Sequence, residues 1–182
     1  MRIAQMERVM IVGGPGSGKS TLGQRLGQRT GLPVVHMDHI HWLPNWVERS
    51  RDDKDRMTRE VHRRPEWILE GGHSSTYADR LAHADTLIWL DVGVWRRLWR
   101  VTRRLAQNYG KRRPDMAEGC VERFSMETID FYRFIWRTRH TARRKCHEMV
   151  QGAPAGTRVV VLRTFADVDR FLQDQPERRA YA

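Results

Sequence analysis

A glycine-rich segment near the N-terminus, GGPGSGKST at residues 13–21, restricts the possible folds of this chain more than any other feature. It matches the pattern GxxxxGK[ST] and lies between an apolar run at residues 9–12 and a segment in which Leu22 and Leu26 are four residues apart. A buried strand followed by a helix is the context in which this pattern forms a loop around phosphate groups. The segment therefore predicts an α/β fold with a phosphate-binding loop at a strand end.

The chemistry of such a loop assigns roles to its residues. Successive backbone N–H groups point into one concavity, and the N-terminus of the following helix adds partial positive charge. We expect Lys19 to bridge the β- and γ-phosphates of ATP and the Ser20 hydroxyl to reach a Mg²⁺ ion. The residues predicted to bind the nucleotide are Gly13, Gly14, Pro15, Gly16, Ser17, Gly18, Lys19, Ser20 and Thr21.

Hydrophobic periodicity predicts alternating strands and helices along the rest of the chain. Strands are predicted at residues 8–13, 33–37, 67–70, 86–90 and 158–162. Helices are predicted at residues 18–29, 52–63, 95–106, 121–149 and 168–172, and loops at residues 38–48 and 110–119. This alternation is typical of a parallel sheet covered on both faces, and 182 residues fit a single domain.

Three carboxylates follow predicted strands, namely Asp38, Glu70 and Asp91. Since ligands bind beyond the carboxyl ends of parallel strands, we expect these side chains to converge on the phosphate-binding loop. Glu70 is the first candidate to support the metal, and Asp38 and Asp91 are the others. A capping role is the alternative for Glu70 and Asp91.

The net charge of +11 is concentrated in one part of the chain. Residues 96–145 contain 15 basic and five acidic side chains, and only four of the 33 basic residues of the chain are lysines. Arginine-rich segments suit phosphate binding, either of nucleic acid or of ATP, and also occur as solvated helix faces. The two cysteines, Cys120 and Cys146, form no disulfide framework, and the apolar runs are too short to span a bilayer, so we expect a cytoplasmic protein.

Aromatic and imidazole side chains cluster after the second strand. His36, His39 and His41 suggest a metal site, but alternation along an extended segment would place them on two faces. Trp42 and Trp46 are candidates either to stack on a base or sugar or to pack in the core.

The chain resembles small P-loop kinases of the adenylate-kinase-like group, and more closely the bacterial DNA topology modulation proteins, which are FlaR-related kinases. Four segments carry the resemblance: the loop at residues 13–21, the HMD…WLPNW segment at 36–46, WILEGGH at 67–73 and RPDMAEGC at 113–120. The resemblance implies a P-loop NTPase three-layer fold with five parallel strands, formed by residues 1–182 as one domain. It also implies an acceptor-binding segment at about 38–64 and an arginine-rich lid at about 110–120.

The resemblance also implies site residues. Arginines from the lid and its flanking helices contact the phosphates in relatives, and the matching positions here are Arg104, Arg113 and Arg143. The predicted catalytic residues are therefore Lys19, Asp38, Arg104, Arg113 and Arg143. The predicted acceptor-binding residues are Asp38, Trp42, Trp46, Gly71, Gly72, His73 and Arg80. Arg80 is included because the run FPR, which holds the nucleotide acceptor in adenylate kinases, is missing after strand three.

These observations predict an ATP-dependent kinase that transfers the γ-phosphate of Mg-ATP to a small-molecule or nucleotide acceptor. A hydroxyl acceptor would be oriented or deprotonated by Asp38, whereas a phosphate acceptor would need no base. The alternatives are a DNA-binding regulatory NTPase and a polynucleotide 5′-hydroxyl kinase. We expect a monomer or homodimer with no membrane association.

Overall fold

The structure is a computed structural model that describes residues 6–111, 121 and 124–176. In chain order its elements are β1 (Arg8–Gly13), α1 (Lys19–Thr30), β2 (Val34–His36), α2 (Met37–His41), β3 (Trp42–Leu43), β4 (Val47–Glu48), α3 (Arg51–His62), β5 (Trp67–Glu70), α4 (Tyr77–His83), β6 (Thr86–Leu90), α5 (Val94–Asn108), α6 (Met126–Arg137), α7 (Arg139–Gln151), β7 (Arg158–Leu162) and α8 (Phe165–Gln173). Two short 3₁₀ turns, Pro44–Trp46 and Ser74–Thr76, complete them.

Five strands form one parallel sheet in the order β2-β5-β1-β6-β7. The central strand β1 pairs on both sides, with Ile11 opposite Glu70 on one side and opposite Ile88 on the other. A parallel strand covered on both faces is expected to be apolar throughout, as residues 9–12 are. The predicted five-stranded parallel fold is therefore confirmed.

The sheet separates two hydrophobic core clusters, because successive side chains of a strand point to opposite faces. One cluster packs under α1 and α8, and its strand and α1 members include Val9, Ile11, Leu22, Leu26, Ile68 and Ile88. The other cluster packs under α3, α4 and α7, and its strand members include Met10, Val12, Trp67, Leu69, Leu87 and Trp89. This arrangement gives the three layers that the sequence predicts.

Residues 38–48 differ from the predicted loop. They form most of α2 and a small antiparallel hairpin in which Trp42 pairs with Glu48 and Leu43 with Val47. The connection contains Asn45 and Trp46 at φ 61°, a left-handed conformation that lets the chain reverse within three residues. The expectation that the histidines at 36, 39 and 41 alternate along an extended segment is therefore wrong, since residues 37–41 are helical.

The single helix predicted at residues 121–149 is in fact two helices, α6 and α7, within its described part. The break falls at Thr138, whose hydroxyl donates to the carbonyl oxygen of Phe134 at 2.7 Å. Hydroxyl groups that bond back to the preceding turn favour a bend, but Thr58 in α3 and Thr102 in α5 make the same bond without a break, so this bond alone does not explain it. No proline or glycine lies near this break, and the spacing of apolar residues continues across it, so the sequence predicts one helix.

Among the described residues, no helix combines the length and apolar character that crossing a membrane would require.

Candidate active site

The glycine-rich segment turns sharply between β1 and α1. Gly16 and Gly18 have φ values of 77° and 101°, which side chains with a Cβ rarely adopt. The Ser17 amide donates to the carbonyl oxygen of Gly14 at 3.1 Å, and this bond closes the turn. A tight glycine-rich loop at the N-terminus of a helix is therefore present where the sequence predicts it.

The ammonium group of Lys19 folds back over this loop and donates to the carbonyl oxygen of Gly14 at 3.2 Å. Burial lowers the pKa of Lys19, while the nearby carboxylates of Glu70 and Asp38 act in the opposite direction and raise it. Both carboxylates are therefore close enough to stabilise the charge on Lys19. Two of the three predicted carboxylates therefore act electrostatically on the lysine of the loop.

Glu70 ends β5 and is 2% exposed. Its Oε1 lies 2.6 Å from Nδ1 of His36, the last residue of the neighbouring strand β2. The pairing follows from the sheet register, in which His36 and Glu70 are direct partners. His36, which the sequence suggested as a metal ligand, therefore positions the carboxylate that is the first candidate to support Mg²⁺.

Asp38 lies in the first turn of α2, directly after β2. The segment that follows brings Trp42 and Trp46 together, with ring centroids 5.4 Å apart and nearly perpendicular planes. The indole N–H of Trp46 donates to the carbonyl oxygen of Val121 at 3.3 Å. The predicted acceptor segment thus presents two paired indoles and touches the residue that follows the predicted lid.

Gly71, Gly72 and His73 continue β5 at the same edge of the sheet. A Cβ on Gly71 would lie 2.6 Å from the Cβ of Met37, so the two strand ends approach closely only because residue 71 is glycine. His73 is held by Asp55, with Nε2 and Oδ1 2.5 Å apart. This contact links the end of β5 to α3, which is the second half of the predicted acceptor segment.

Arg80 lies inside the protein rather than on its surface. It is 0% exposed, and its Nη1 donates to the carbonyl oxygen of Gly71 at 2.9 Å. Burial lowers its pKa to about 10. In this arrangement Arg80 supports the backbone at Gly71. Its guanidinium is not exposed, so it is not available for the predicted contact with an acceptor.

Two arginines that the sequence analysis did not select lie on the phosphate-binding loop. Arg97 of α5 is 5% exposed, and its Nη1 is so near Gly14 that a Cβ there would be 1.9 Å away. Arg100, one turn later, donates to the carbonyl oxygen of Ser17 at 3.5 Å. The signal that could have identified them is their place in the first two turns of the helix that follows β6, at the carboxyl edge of the sheet.

The arginines that the sequence analysis did select have other positions. Arg104 is half-buried one turn beyond Arg100 on α5, whereas Arg113 lies outside the described residues, as does the predicted lid from residue 112 onward. Arg143 of α7 forms a two-pronged ion pair with Asp91, with both N–O distances 2.9 Å. Asp91 is thus an ion-pair partner at the end of β6, and the helix cap there is Gly93 instead.

The polar groups of the loop suit a phosphate chain and its metal. The Ser17 hydroxyl is buried and has no hydrogen-bond partner among the residues that the structure describes, and the same holds for Nε of Arg97. Buried donors without partners are costly, and phosphate oxygens would satisfy them. The predicted metal residues, Ser20 and Glu70, carry oxygen atoms of the hard type that Mg²⁺ prefers.

Comparisons with known proteins agree on the fold. No family model matches the chain. A 32-residue stretch is 50% identical to a shikimate kinase from Paracidovorax citrulli (strain AAC00-1), but the match covers only 18% of this chain and 18% of that enzyme.

Solved structures match over nearly the whole chain. A shikimate kinase from Acinetobacter baumannii in complex with shikimate has a TM-score of 0.54 at 17% identity, over 93% of this chain and 90% of that one. A deoxyadenosine kinase from M. mycoides has a TM-score of 0.56 at 13% identity, over 91% and 94% of the two chains. The chain therefore has the P-loop kinase fold. The resemblance to the DNA topology modulation group stays a prediction.

Proposed function

We propose that this protein is an ATP-dependent kinase that transfers the γ-phosphate of Mg-ATP to the hydroxyl group of a small molecule or nucleoside-like acceptor. The observation that carries the proposal is the position of Lys19, which lies over the phosphate-binding loop and within electrostatic reach of Glu70 and Asp38. A phosphate-binding cation, a candidate metal-supporting carboxylate and a candidate base thus meet at one edge of the sheet. Phosphoryl transfer requires this kind of positioning more than covalent help.

The donor side would bind ATP through the loop and the two helices that touch it. Lys19 would contact the β- and γ-phosphates, and Arg97 would add a second cation from α5. Ser20 and Glu70 would hold Mg²⁺, which neutralises phosphate charge when it is bound. Arg104 and Arg113 remain predicted contacts of the transferring phosphate, and Arg143 would have to leave its ion pair with Asp91 to become one.

The acceptor side favours a hydroxyl group over a phosphate. Asp38 supplies a carboxylate that acts electrostatically on Lys19, and this carboxylate would orient a hydroxyl and accept its proton. Arg80, the candidate ligand for an acceptor phosphate, is buried on the carbonyl oxygen of Gly71. Two structural neighbours are named for the acceptors shikimate and deoxyadenosine, and both compounds carry hydroxyl groups. Trp42 and Trp46 would pack against the acceptor ring.

The test is ADP production with Mg-ATP and a panel of sugars, hydroxy acids, nucleosides and nucleotides. We expect one hydroxyl compound to accelerate turnover, Lys19→Met to abolish it, and Asp38→Asn to remove acceptor-dependent turnover while ATP still binds. Asp174→Asn, an exposed carboxylate change at the end of α8 and outside the predicted acceptor segment, serves as the matched control. If no compound accelerates turnover and Lys19→Met behaves like the wild type, the kinase proposal is wrong.

A polynucleotide acceptor is the second candidate, and one surface favours it. Trp95 and Trp99 of α5 are 72% and 58% exposed, and the guanidinium of Arg103 lies 5.5 Å from the Trp99 ring centre. On α6 and α7, Arg139 lies 4.1 Å from the ring centre of Trp136. Exposed aromatic rings among arginines bind single strands by stacking and charge.

Phosphorylation of a 5′-hydroxyl oligonucleotide in the same assay would identify this acceptor. Binding should then weaken steeply as salt is raised, since each phosphate contact releases counterions. A labelled oligonucleotide that is neither bound nor phosphorylated would exclude both the polynucleotide kinase and the DNA-binding regulator.

A further inference from the structure

Three potential metal ligands meet on the side of the molecule where α3 and α4 pack together. His62 is the last residue of α3, and Asp79 and His83 are four residues apart on α4. Residues with this spacing share one face of a helix. Each of the three side chains offers a ligand atom, and these atoms all lie within 4.8 Å of one another.

The distances are close to those of a metal site. Nδ1 of His62 lies 2.5 Å from Oδ2 of Asp79. Nδ1 of His83 lies 3.7 Å from Oδ1 of Asp79 and 2.8 Å from the backbone carbonyl oxygen of Asp79. Tetrahedral ligands about 2.0–2.1 Å from a metal are separated by about 3.3 Å. The ligand atoms, all within 4.8 Å of one another, would need only a small adjustment to reach that spacing. The His62–Asp79 hydrogen bond would lengthen as the ion replaces its proton, and His83 would exchange its bond to the Asp79 carbonyl oxygen for the ion.

The surroundings hold the ligands in place and leave access from solvent. His62 is 2% exposed. Its ring lies beside that of Trp67 and stacks on that of His83, and the two imidazole centroids are 5.9 Å apart. Asp79 is half-buried and His83 exposed, so one side of the cluster faces water. A fixed buried ligand with an open side is suited to an ion that keeps one water ligand.

The ligand chemistry indicates the class of metal. Two imidazoles and one carboxylate suit Zn²⁺, Co²⁺ or Ni²⁺, whereas Mg²⁺ and Ca²⁺ prefer oxygen ligands and more negative charge. The buried Arg80 guanidinium also acts electrostatically on His62. Its positive charge would weaken the binding of an ion held by carboxylate charge alone, such as Ca²⁺. Among the described residues, no other group of three such side chains is this close, and that includes His36, His39 and His41.

We propose that His62, Asp79 and His83 bind a divalent transition metal ion of the Zn²⁺ class. Each histidine would give up or redirect the proton on its ligating nitrogen, and water would complete the coordination. The ion would link the end of the predicted acceptor segment to α4, which also carries the Arg80 contact to Gly71. The site is separate from the Mg-ATP site and does not depend on the proposed kinase activity.

The test uses the full chain without a histidine tag, treated with EDTA, dialysed and titrated with Zn²⁺ in the absence of nucleotide. We expect one saturable ion per chain by calorimetry and a rise in Tm on Zn²⁺ addition. The same site should give the absorption spectrum of four-coordinate Co²⁺. Asp79→Asn and His83→Ala should each weaken Zn²⁺ binding by about tenfold or more, in the range seen when metal shells are disturbed.

His140→Ala is the matched control, because this histidine is exposed on α7. It should bind Zn²⁺ like the wild type. Circular dichroism without metal checks that each variant folds, and His83 is chosen because its exposed side chain is not part of the core. Absence of saturable binding to the wild type, or equal binding by wild type, Asp79→Asn and His83→Ala, would overturn the proposal.

Discussion

Arg97 lies directly against Gly14, so that a Cβ atom at residue 14 would be only 1.9 Å from Nη1 of Arg97. The two residues belong to different elements, the phosphate-binding loop and the first turns of α5, and their contact brings a buried guanidinium to the loop. A Cβ on Gly16 would also lie 2.6 Å from the carbonyl oxygen of Arg97. Residue 16 therefore needs to be glycine partly because of the α5 backbone, whereas a side chain at residue 14 would have to displace the guanidinium of Arg97.

The first prediction concerns Gly14→Ala. The added methyl group must displace the guanidinium end of the Arg97 side chain. Since that end is flexible, the cost should lie near the lower limit of overpacking, about 1 kcal/mol of unfolding free energy. In an Arg97→Ala background the same substitution should cost much less, because the clashing atoms are gone. Urea denaturation of the four proteins measures both values. Equal costs in the two backgrounds would show that Arg97 does not restrict residue 14.

The second prediction concerns catalysis by Arg97. If its guanidinium stabilises charge on the transferring phosphate, Arg97→Ala should lower kcat for ATP turnover by about 10²–10³-fold, as loss of one such donor does in other enzymes. Arg103→Ala on the same helix is the control, because Arg103 is exposed and its guanidinium lies beside the ring of Trp99. Similar kcat values for the two variants would contradict a catalytic role for Arg97.

The central part of the fold could be predicted from the sequence because its signals are local. The apolar run of β1, the glycines after it and the leucine spacing of α1 each reflect a short-range requirement, and the structure has all three. Glu70 and Asp38 could also be predicted to act on Lys19, because each lies at the end of a strand or just after it. Parallel strands end at one edge, so residues at strand ends converge regardless of their separation along the chain.

Contacts between distant elements could not be predicted in this way. Arg97 and Arg143 are both arginines on helices, yet one is 5% exposed on the loop and the other is ion-paired with Asp91. Which arginine faces the loop depends on the rotation of α5 about its axis and on packing against the sheet. Arg80 shows the same limit, since nothing in its local sequence indicates a fully buried guanidinium.

The third prediction concerns the charge of Lys19. Burial lowers its pKa from 10.5, and the carboxylate of Glu70 raises it. Bound phosphate favours the charged ammonium, so nucleotide affinity should fall as pH rises through the pKa of Lys19. Glu70→Gln removes the raising charge, and the fall in affinity should therefore begin at a lower pH than in the wild type.

The measurement for Lys19 is the Kd of a non-hydrolysable ATP analogue against pH, without Mg²⁺, so that loss of a metal ligand does not affect the result. The quantity compared between wild type and Glu70→Gln is the pH at which affinity begins to fall. Affinity itself is not compared, because Glu70→Gln also removes repulsion between the carboxylate and the phosphates and so changes affinity at every pH. Glu60→Gln, an equal charge change on the exposed face of α3, should leave the profile in place. An unshifted profile in Glu70→Gln would exclude coupling between Glu70 and Lys19.

The last prediction concerns the ion pair of Arg143 with Asp91. The Asp91 side chain is 8% exposed and that of Arg143 is 66% exposed, with Nε of Arg163 a further 3.7 Å from Oδ2 of Asp91. Removing one partner leaves a nearly buried carboxylate with a weaker contact, so Arg143→Ala should lower the unfolding free energy by about 1 kcal/mol. In an Asp91→Asn background, Arg143→Ala should change the unfolding free energy very little. In the otherwise wild-type protein, Arg143→Ala should change kcat by less than about threefold if the arginine acts mainly on Asp91. Urea denaturation and ATP turnover measure the two quantities together. A large loss of kcat at unchanged stability would instead place Arg143 on the transferring phosphate, as the resemblance to adenylate-kinase-like proteins implies.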